Sequence, residues 1–260
     1  MDLDRALRFQ RASLRDYIEL LARGSPDARL MRFPGVVATA TPAVPVRSIS
    51  NPVSYETVGS LADAYEELAA GFDQAGIDAW TVWVPRFDAE AIALLTGAGH
   101  RFDGSPAAMT LDLGRFEPPE LGDLEWDRNC DGPRLGRVND RAYGYEPGDG
   151  YSPGFSELPV EPPLRLYRAT IDGETASVLG TIDHTHRSGD VDCGIYFVAT
   201  DPDYAGRGLA TRLLVAALLE AVERGCVTST LQASQAGRSI YDALGYETGF
   251  ELHLYERRRS

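Results

Sequence analysis

The stretch from 195 to 222, IYFVATDPDYAGRGLATRLLVAALLEAV, limits the possible folds of this chain more than any other. An apolar strand ends at Thr200, a short turn follows, and Ala205-Gly206-Arg207-Gly208-Leu209-Ala210 opens a long helix. Leu209, Leu213, Leu214, Ala217, Leu218 and Val222 recur at helical spacing, which predicts a helix over 208–224 with one buried face. Glycine at 206 and 208 lets the backbone come close to a ligand and adopt torsions that a side chain forbids. The first turn of the helix offers unpaired amides and the positive end of the dipole, a ready anion site to which Thr211 adds a hydroxyl. A pyrophosphate is the expected guest.

Two common nucleotide loops do not fit this stretch. A dinucleotide fingerprint needs a third glycine where Thr211 stands, and an acidic residue ending the next strand, which VTSTLQAS (227–234) lacks. A Walker loop needs a lysine, and all 25 basic residues here are arginine. Against them stand 39 acidic residues, giving a net charge of −14. Such a surface is a poor partner for nucleic acid or anionic lipid and attracts cationic substrates. The composition, 43% hydrophobic and 25% charged, is that of a globular protein, and the lysine-free bias suggests a GC-rich bacterial genome. Cys130, Cys193 and Cys226 form no C-x-x-C pair, so neither a zinc site nor a disulfide framework is expected, and Cys193 and Cys226 read as buried hydrophobes. The first 24 residues begin with acids and lack an uninterrupted apolar core. They read as an amphipathic surface helix carrying Leu3, Leu7, Leu14, Ile18 and Leu21, neither signal peptide nor membrane span, and a cytoplasmic location is expected.

Along the rest of the chain, 24–54 reads as short strands and loops, 60–75 as a helix, 79–84 as a strand, 88–100 as a short helix and 107–113 as a strand. The Pro-Pro stretch 114–123 is the best linker. Beyond it come a strand at 124–128, a helix near 132–142, an irregular Gly/Pro-rich loop at 144–163, and strands at 164–170, 176–186 and 191–200. After the long helix follow a strand at 227–234, a helix at 237–245 and a last strand at 250–257. The order predicts an α+β protein with an α/β mixed sheet.

The run VATDPDYAGRGLA resembles the acyl-CoA loop of the GNAT superfamily of N-acyltransferases, Gln/Arg-x-x-Gly-x-Gly/Ala, met here by Gly208 and Ala210 but with Ala205 at the first position. LQASQAGRSIYDALGYE (231–247) is similar to the family's later strand, helix and Leu-Gly-aromatic turn. The resemblance spans about 124–257 and implies a GNAT-like fold and transfer of an acyl group, most often acetyl, from acetyl-CoA to an amine in a ternary complex. It implies that Ala205, Gly206, Arg207, Gly208, Leu209, Ala210 and Thr211 hold the CoA phosphates. Phe197 and Val198 would pair with the pantetheine, the Val198 amide facing the oxyanion. Ser234 stands where many members have a CoA-contacting Asn, and Tyr241 where the family places the tyrosine that protonates the departing thiolate.

Asp192 is the candidate base: alternation along the strand puts it on one face with Gly194, Tyr196 and Val198. Against this stands its reading as a solvated hairpin residue. His184 and His186 alternate on the preceding strand as possible relays, and their spacing without a third ligand argues against a metal. His253 and Tyr255 read as ordinary strand residues. The 144–163 loop, with Glu146, Asp149 and Glu157 among Tyr143, Tyr145, Tyr151 and Phe155, is expected to select a cationic amine.

Residues 88–100 overlay 234–246 at an offset of 146 (245 less 99), with helix and strand in the same order before and a strand after. At this offset Leu95 matches Tyr241, while Ser60 and Ala62 match Gly206 and Gly208. The expected division is therefore 1–115, a degenerate GNAT-like half, and 116–260, the active-looking one; chance similarity of two β-α-β units is the other reading. A non-catalytic CoA sensor on the same fold is the alternative to an enzyme. A nucleotide-binding module is a third reading, and either a monomer or a homodimer is compatible with the sequence.

Overall fold

One mixed sheet of twelve strands runs through the molecule, which a computed structural model describes for residues 3–146 and 148–259. Helix α1 (Leu3–Leu21) leads into β1 (Arg29–Phe33), β2 (Val36–Ala40), β3 (Pro52–Tyr55), α2 (Val58–Gln74), β4 (Ala79–Pro85), α3 (Ala89–Gly97), β5 (Arg101–Gly104) and β6 (Ala107–Asp112). A second series follows: β7 (Trp126–Asp127), α4 (Gly132–Ala142), β8 (Leu164–Ile171), β9 (Glu174–Thr185), β10 (Val191–Thr200), α5 (Leu209–Glu223), β11 (Thr228–Ala233), α6 (Arg238–Ala243) and β12 (Glu247–Arg258). The spatial order is β1-β2-β3-β4-β12-β6-β11-β10-β9-β8-β7, with β5 also paired to β12. The mixed α/β architecture is the one the alternation predicts. Two details differ: the strand expected at 124–128 shrinks to two paired residues, and short, polar β5 had no periodic signal of its own.

The sheet does not divide where the chain does. β6 lies between β11 and β12, antiparallel to both, in register from Thr228↔Asp112 to Ala233↔Ala107 and from Glu247↔Thr110 to Glu251↔Ala107. The remainder of β12, from Leu252, crosses over to pair with β4 and β5. Each series thus lends a strand to the sheet of the other. The offset of 146 fits this region: Arg101 to Glu247 and Asp112 to Arg258 are both 146 apart (247 less 101; 258 less 112). It does not carry back through the long helices. Their N-caps, Thr57 and Gly208, stand 151 apart (208 less 57), so Thr57 and not Ala62 is the positional counterpart of Gly208.

Helix α5 packs Leu213, Leu214, Ala217 and Leu218 on Leu179, Cys193, Ile195 and Leu231, while α2 packs Leu61, Leu68 and Phe72 on Val53, Val82 and Val84. The amphipathic pattern of α1 predicts a surface helix; in the structure it covers the junction of the two series. Ala6 and Leu14 meet Trp83, Ala108, Phe250 and Leu252 there. Gln10 is buried beside them, its Nε2 donating to the carbonyls of Met109 (3.0 Å) and Leu231 (3.3 Å). All three cysteines are free and buried.

His100 fastens the exchanged end of β12. It is 2% exposed, with Nδ1 3.0 Å from the Tyr255 carbonyl and Nε2 3.0 Å from the Tyr65 hydroxyl. As a neutral ring, Nδ1–H donates to the carbonyl and Nε2 accepts from the phenol. Burial pushes its pKa down to about 4, Arg257 adds to this and the Tyr255 carbonyl opposes it. The folded value lies below the unfolded one, about 6.5. Its contribution is therefore complete above pH 6.5 and is lost as pH falls towards 4, a change of about 3 kcal/mol. Urea titrations between pH 4 and 7 will show a stability slope that is shallower in His100→Gln; equal slopes would contradict this assignment.

Candidate active site

β10 and β11 are parallel neighbours that soon part. Their register holds at Asp192↔Thr228, Cys193↔Ser229 and Gly194↔Thr230, while the strands run on separately to Thr200 and Ala233. The unpaired lengths bound a cleft. Asp192 clasps the strands just before it opens: Thr228 Oγ1 donates to Oδ1 (2.7 Å) and Thr230 Oγ1 to Oδ2 (2.6 Å). The carboxyl is fully buried, and burial raises its pKa against the pull of His184, the two threonine bonds and His186.

At the cleft β10 bulges. Its register on β9 slips between Tyr196 and Ala199, and Phe197 takes φ +58°. For a residue with a Cβ this conformation costs about 1–2 kcal/mol, so other contacts must hold it. Asn139 Nδ2, on α4, donates to the Phe197 carbonyl (3.3 Å), and the Phe155 ring lies 4.9 Å away edge to face. Asn139 belongs to no motif; its only sequence signal is an amide on the apolar face of a short helix. The bulge corrects the face assignment made from alternation. Tyr196 and Phe197 pack under α4 and α1, whereas Val198 packs with Tyr241 against the core around α5. Asp192 and Val198 therefore do not share a face, and Asp192 is no solvated hairpin residue.

The N-terminus of α5 stands at the same end of β10. Its N-cap, Gly208, has φ +68° and gives no side-chain cap; the first helical bond runs from Arg212 N to the Gly208 carbonyl (3.1 Å). Gly206 has φ +77°, and at neither glycine would an added Cβ meet anything within 4 Å. Ala205, Gly206, Arg207 and Gly208 are exposed, Ala210 and Thr211 half-buried, and Leu209 points into the core. Asp201 anchors the loop, its carboxylate gripped by Arg141 Nε (2.6 Å) and Nη2 (3.1 Å). Burial pushes the Asp201 carboxyl up, but Arg141 and the Asp203 amide outweigh it and hold the pKa below the usual range. The corresponding terminus of α2 is closed. Thr57 accepts from the Ser60 amide (3.0 Å) and Ser60 Oγ accepts from the Thr57 amide (3.1 Å), a capping box that spends those donors on the protein itself.

Tyr241, on α6, is half-buried and lies edge to face with Tyr246, ring centres 5.8 Å apart. Burial, aided by Tyr143 nearby, pushes its pKa up to about 12, so the phenol keeps its proton at neutral pH. Ser234, exposed beyond the end of β11, accepts from the Gly237 amide (3.2 Å) and turns the chain into α6. His184 is buried elsewhere, Nδ1 2.7 Å from Asp16 and Nε2 3.4 Å from the Tyr196 hydroxyl. His186 stacks on Phe9 at 3.8 Å. Neither histidine is among the groups bounding the cleft. Tyr143, Tyr145 and Tyr151 cluster with ring centres 5.4–6.4 Å apart, and Tyr17 is 5.7 Å from Phe197. In the 144–163 loop, where Pro147 lies outside the described residues, Glu146, Asp149 and Glu157 are exposed. Tyr145 and Tyr151 are half-buried, Phe155 is buried, and Arg47 covers Tyr145 at 3.9 Å. Among the described residues no group of three or more His, Cys, Asp or Glu could hold a metal, and no helix is long and apolar enough to cross a membrane.

A parting pair of parallel strands, a bulge beside it and an uncapped glycine-led helix thus meet at one end of the sheet. Residues 163–248 match the family model of the acetyltransferase (GNAT) domain. A mycothiol acetyltransferase from Acidimicrobium ferrooxidans is 28% identical over 75% of this chain, which spans 66% of that relative's length. Among solved structures, a GCN5-related N-acetyltransferase from Kribbella flavida matches 96% of this chain and 95% of its own, with TM-score 0.64 and 16% identity. A tandem GNAT protein from the clavulanic acid biosynthesis pathway matches 93% of each chain, with TM-score 0.60 and 13% identity. These two likenesses concern the fold.

The open loop yields a direct expectation. Gly208→Val fills the space left before α5 and strains a left-handed position, at a stability cost of about 1–2 kcal/mol. Calorimetric titration with CoA will show affinity reduced by about tenfold or more in a variant that still melts cooperatively. Unchanged affinity would remove the loop from the site.

Proposed function

We propose that the chain is an N-acyltransferase that moves an acetyl group from acetyl-CoA to an amine by direct attack in a ternary complex. The observation that carries this reading is the coincidence, at one end of β10, of the uncapped α5 terminus with the parting of β10 from β11. The amides from Gly206 to Thr211 would hold the pyrophosphate of CoA. The unpaired strand lengths would receive its pantetheine as a third strand beside Phe197 and Val198. Bound there, the cosubstrate supplies an activated acyl thioester.

The chain's own groups account for the rest. The Val198 amide, turned out of the ladder by the bulge, would donate to the oxyanion that forms on attack. Tyr241, protonated at neutral pH, would give its proton to the departing thiolate, whose own pKa is about 8.5. Ser234 would steady the CoA chain beside α6. Asp192 would act as a positioning residue: both oxygens accept from Thr228 and Thr230, and it fixes the point where the cleft begins. For the acceptor we propose an amine with a cationic or apolar body, its ring contacts coming from Tyr17, Tyr143 and Tyr151 and its charge favoured by the acidic surface. Aromatic rings at such a mouth attract cations.

The repeated order of helices and strands also supports the reading of 1–115 and 116–260 as two GNAT-like copies, the first degenerate. In that copy the capping box of Thr57 and Ser60 stands in place of an open phosphate seat, and Leu95 stands at the offset position of Tyr241.

Thiol release from acetyl-CoA with a panel of amines tests the activity. Tyr241→Phe should lower kcat by about 10²-fold with KM for acetyl-CoA within threefold. If CoA binds and no amine accelerates thiol release, the chain is a sensor on this fold and not an enzyme.

A further inference from the structure

A second cavity, of about 820 Å³, lies along α1, walled by β2, the end of β3 and the β9–β10 turn. Seven strand residues lie between Asp190, on its wall, and Val198, about 25 Å at the usual strand rise, so it is not the cleft described above. Six guanidinium groups line it: Arg5, Arg8, Arg11 and Arg15 from α1, Arg32 from β1 and Arg187 from the turn. The carboxylates that share the lining are Glu19, Glu56 and Asp190. Glu19 is tied to Arg32 (3.0 Å) and Asp190 to Arg5 (3.8 Å), while Arg15 reaches Asp16 at 3.1 Å. The guanidinium groups of Arg8, Arg11 and Arg187 have neither an ion pair nor a hydrogen bond among the described residues.

This is an uneven use of charge in a chain of net charge −14. The α1 arginines recur at three- and four-residue spacing, so like charges sit side by side on one helix face and repel. Acidic residues are plentiful in the chain, yet the stripe is not neutralised. Guanidinium groups bind carboxylate and phosphate through paired N–H bonds. The floor of the groove is apolar, with Phe9, Val36 and Val37. His186 stacks on Phe9 there, and its buried Nε2 has no hydrogen-bond partner among the described residues. Its volume is that of a small-molecule site.

We propose that this groove binds a small polyanion, a metabolite-sized molecule with at least two carboxylate or phosphate groups, held by Arg8, Arg11 and Arg187 over the Phe9–His186 stack. The site stands apart from the acyl-CoA reading and does not depend on it. It does not repeat the phosphate seat of α5, because the α2 terminus at its edge is closed by Thr57 and Ser60.

Calorimetric titrations of the full chain at low salt, with saturating CoA present, test it with citrate and inorganic pyrophosphate as separate probes. At least one probe is expected to bind one to one, and which one does so separates carboxylate from phosphate recognition. The double variant Arg8→Ala/Arg11→Ala should weaken that binding at least tenfold and leave CoA affinity within twofold. Arg187→Ala, on an exposed turn, should weaken it at least threefold, and serves should the double variant fail to fold. The proposal is overturned if neither probe binds, if the variants bind as the wild type does, or if CoA displaces both probes.

Discussion

Strand β6 is the piece on which both parts of the sheet rest. It comes from the first series of elements and lies between β11 and β12 of the second, with backbone bonds along both edges. Without it those two strands would present unpaired edges to solvent, which is costly and prone to false pairing. β12 returns the arrangement by crossing to β4 and β5. Residues 116–125 run as an irregular stretch between the two series, and the described strands on both sides of it belong to one sheet.

The cleft follows from this arrangement. β11 is held by β6 along its whole length and by Gln10 of α1 at the Leu231 carbonyl. β10 is held by its long antiparallel ladder on β9. The two strands therefore follow different partners, and they meet only over three residues, where Asp192 ties them to Thr228 and Thr230. Beyond that clasp, β10 pays for its divergence with the left-handed turn at Phe197, supported by Asn139 and Phe155. The two long helices then differ at one turn: glycine opens α5, and a threonine–serine pair closes α2.

What the sequence revealed was local. The strand, glycine turn and apolar helix between 195 and 222 could be read because each is set by neighbouring residues, and the observed α5 starts at Leu209 as the glycine pair implies. The equal spacing of the two terminal strand regions was visible because they have kept their length. What escaped depends on distant contacts. Alternation placed Asp192 with Val198, but a bulge fixed by Asn139 from α4 reverses the face between them. No periodicity reports that Gln10 and Ser13 of α1 are buried, since they are covered by strands far along the chain. The arginines of α1 carry no signal of a site in the sequence, because only folding brings them beside Arg32 and Arg187.

The dependence of the cleft on a borrowed strand is best tested with the two parts of the chain expressed apart and together. Residues 116–260 alone should show no cooperative thermal transition and no CoA binding by calorimetry. Coexpression with 1–115 should restore both. A fragment 116–260 that melts cooperatively and binds CoA by itself would contradict the central role given to β6.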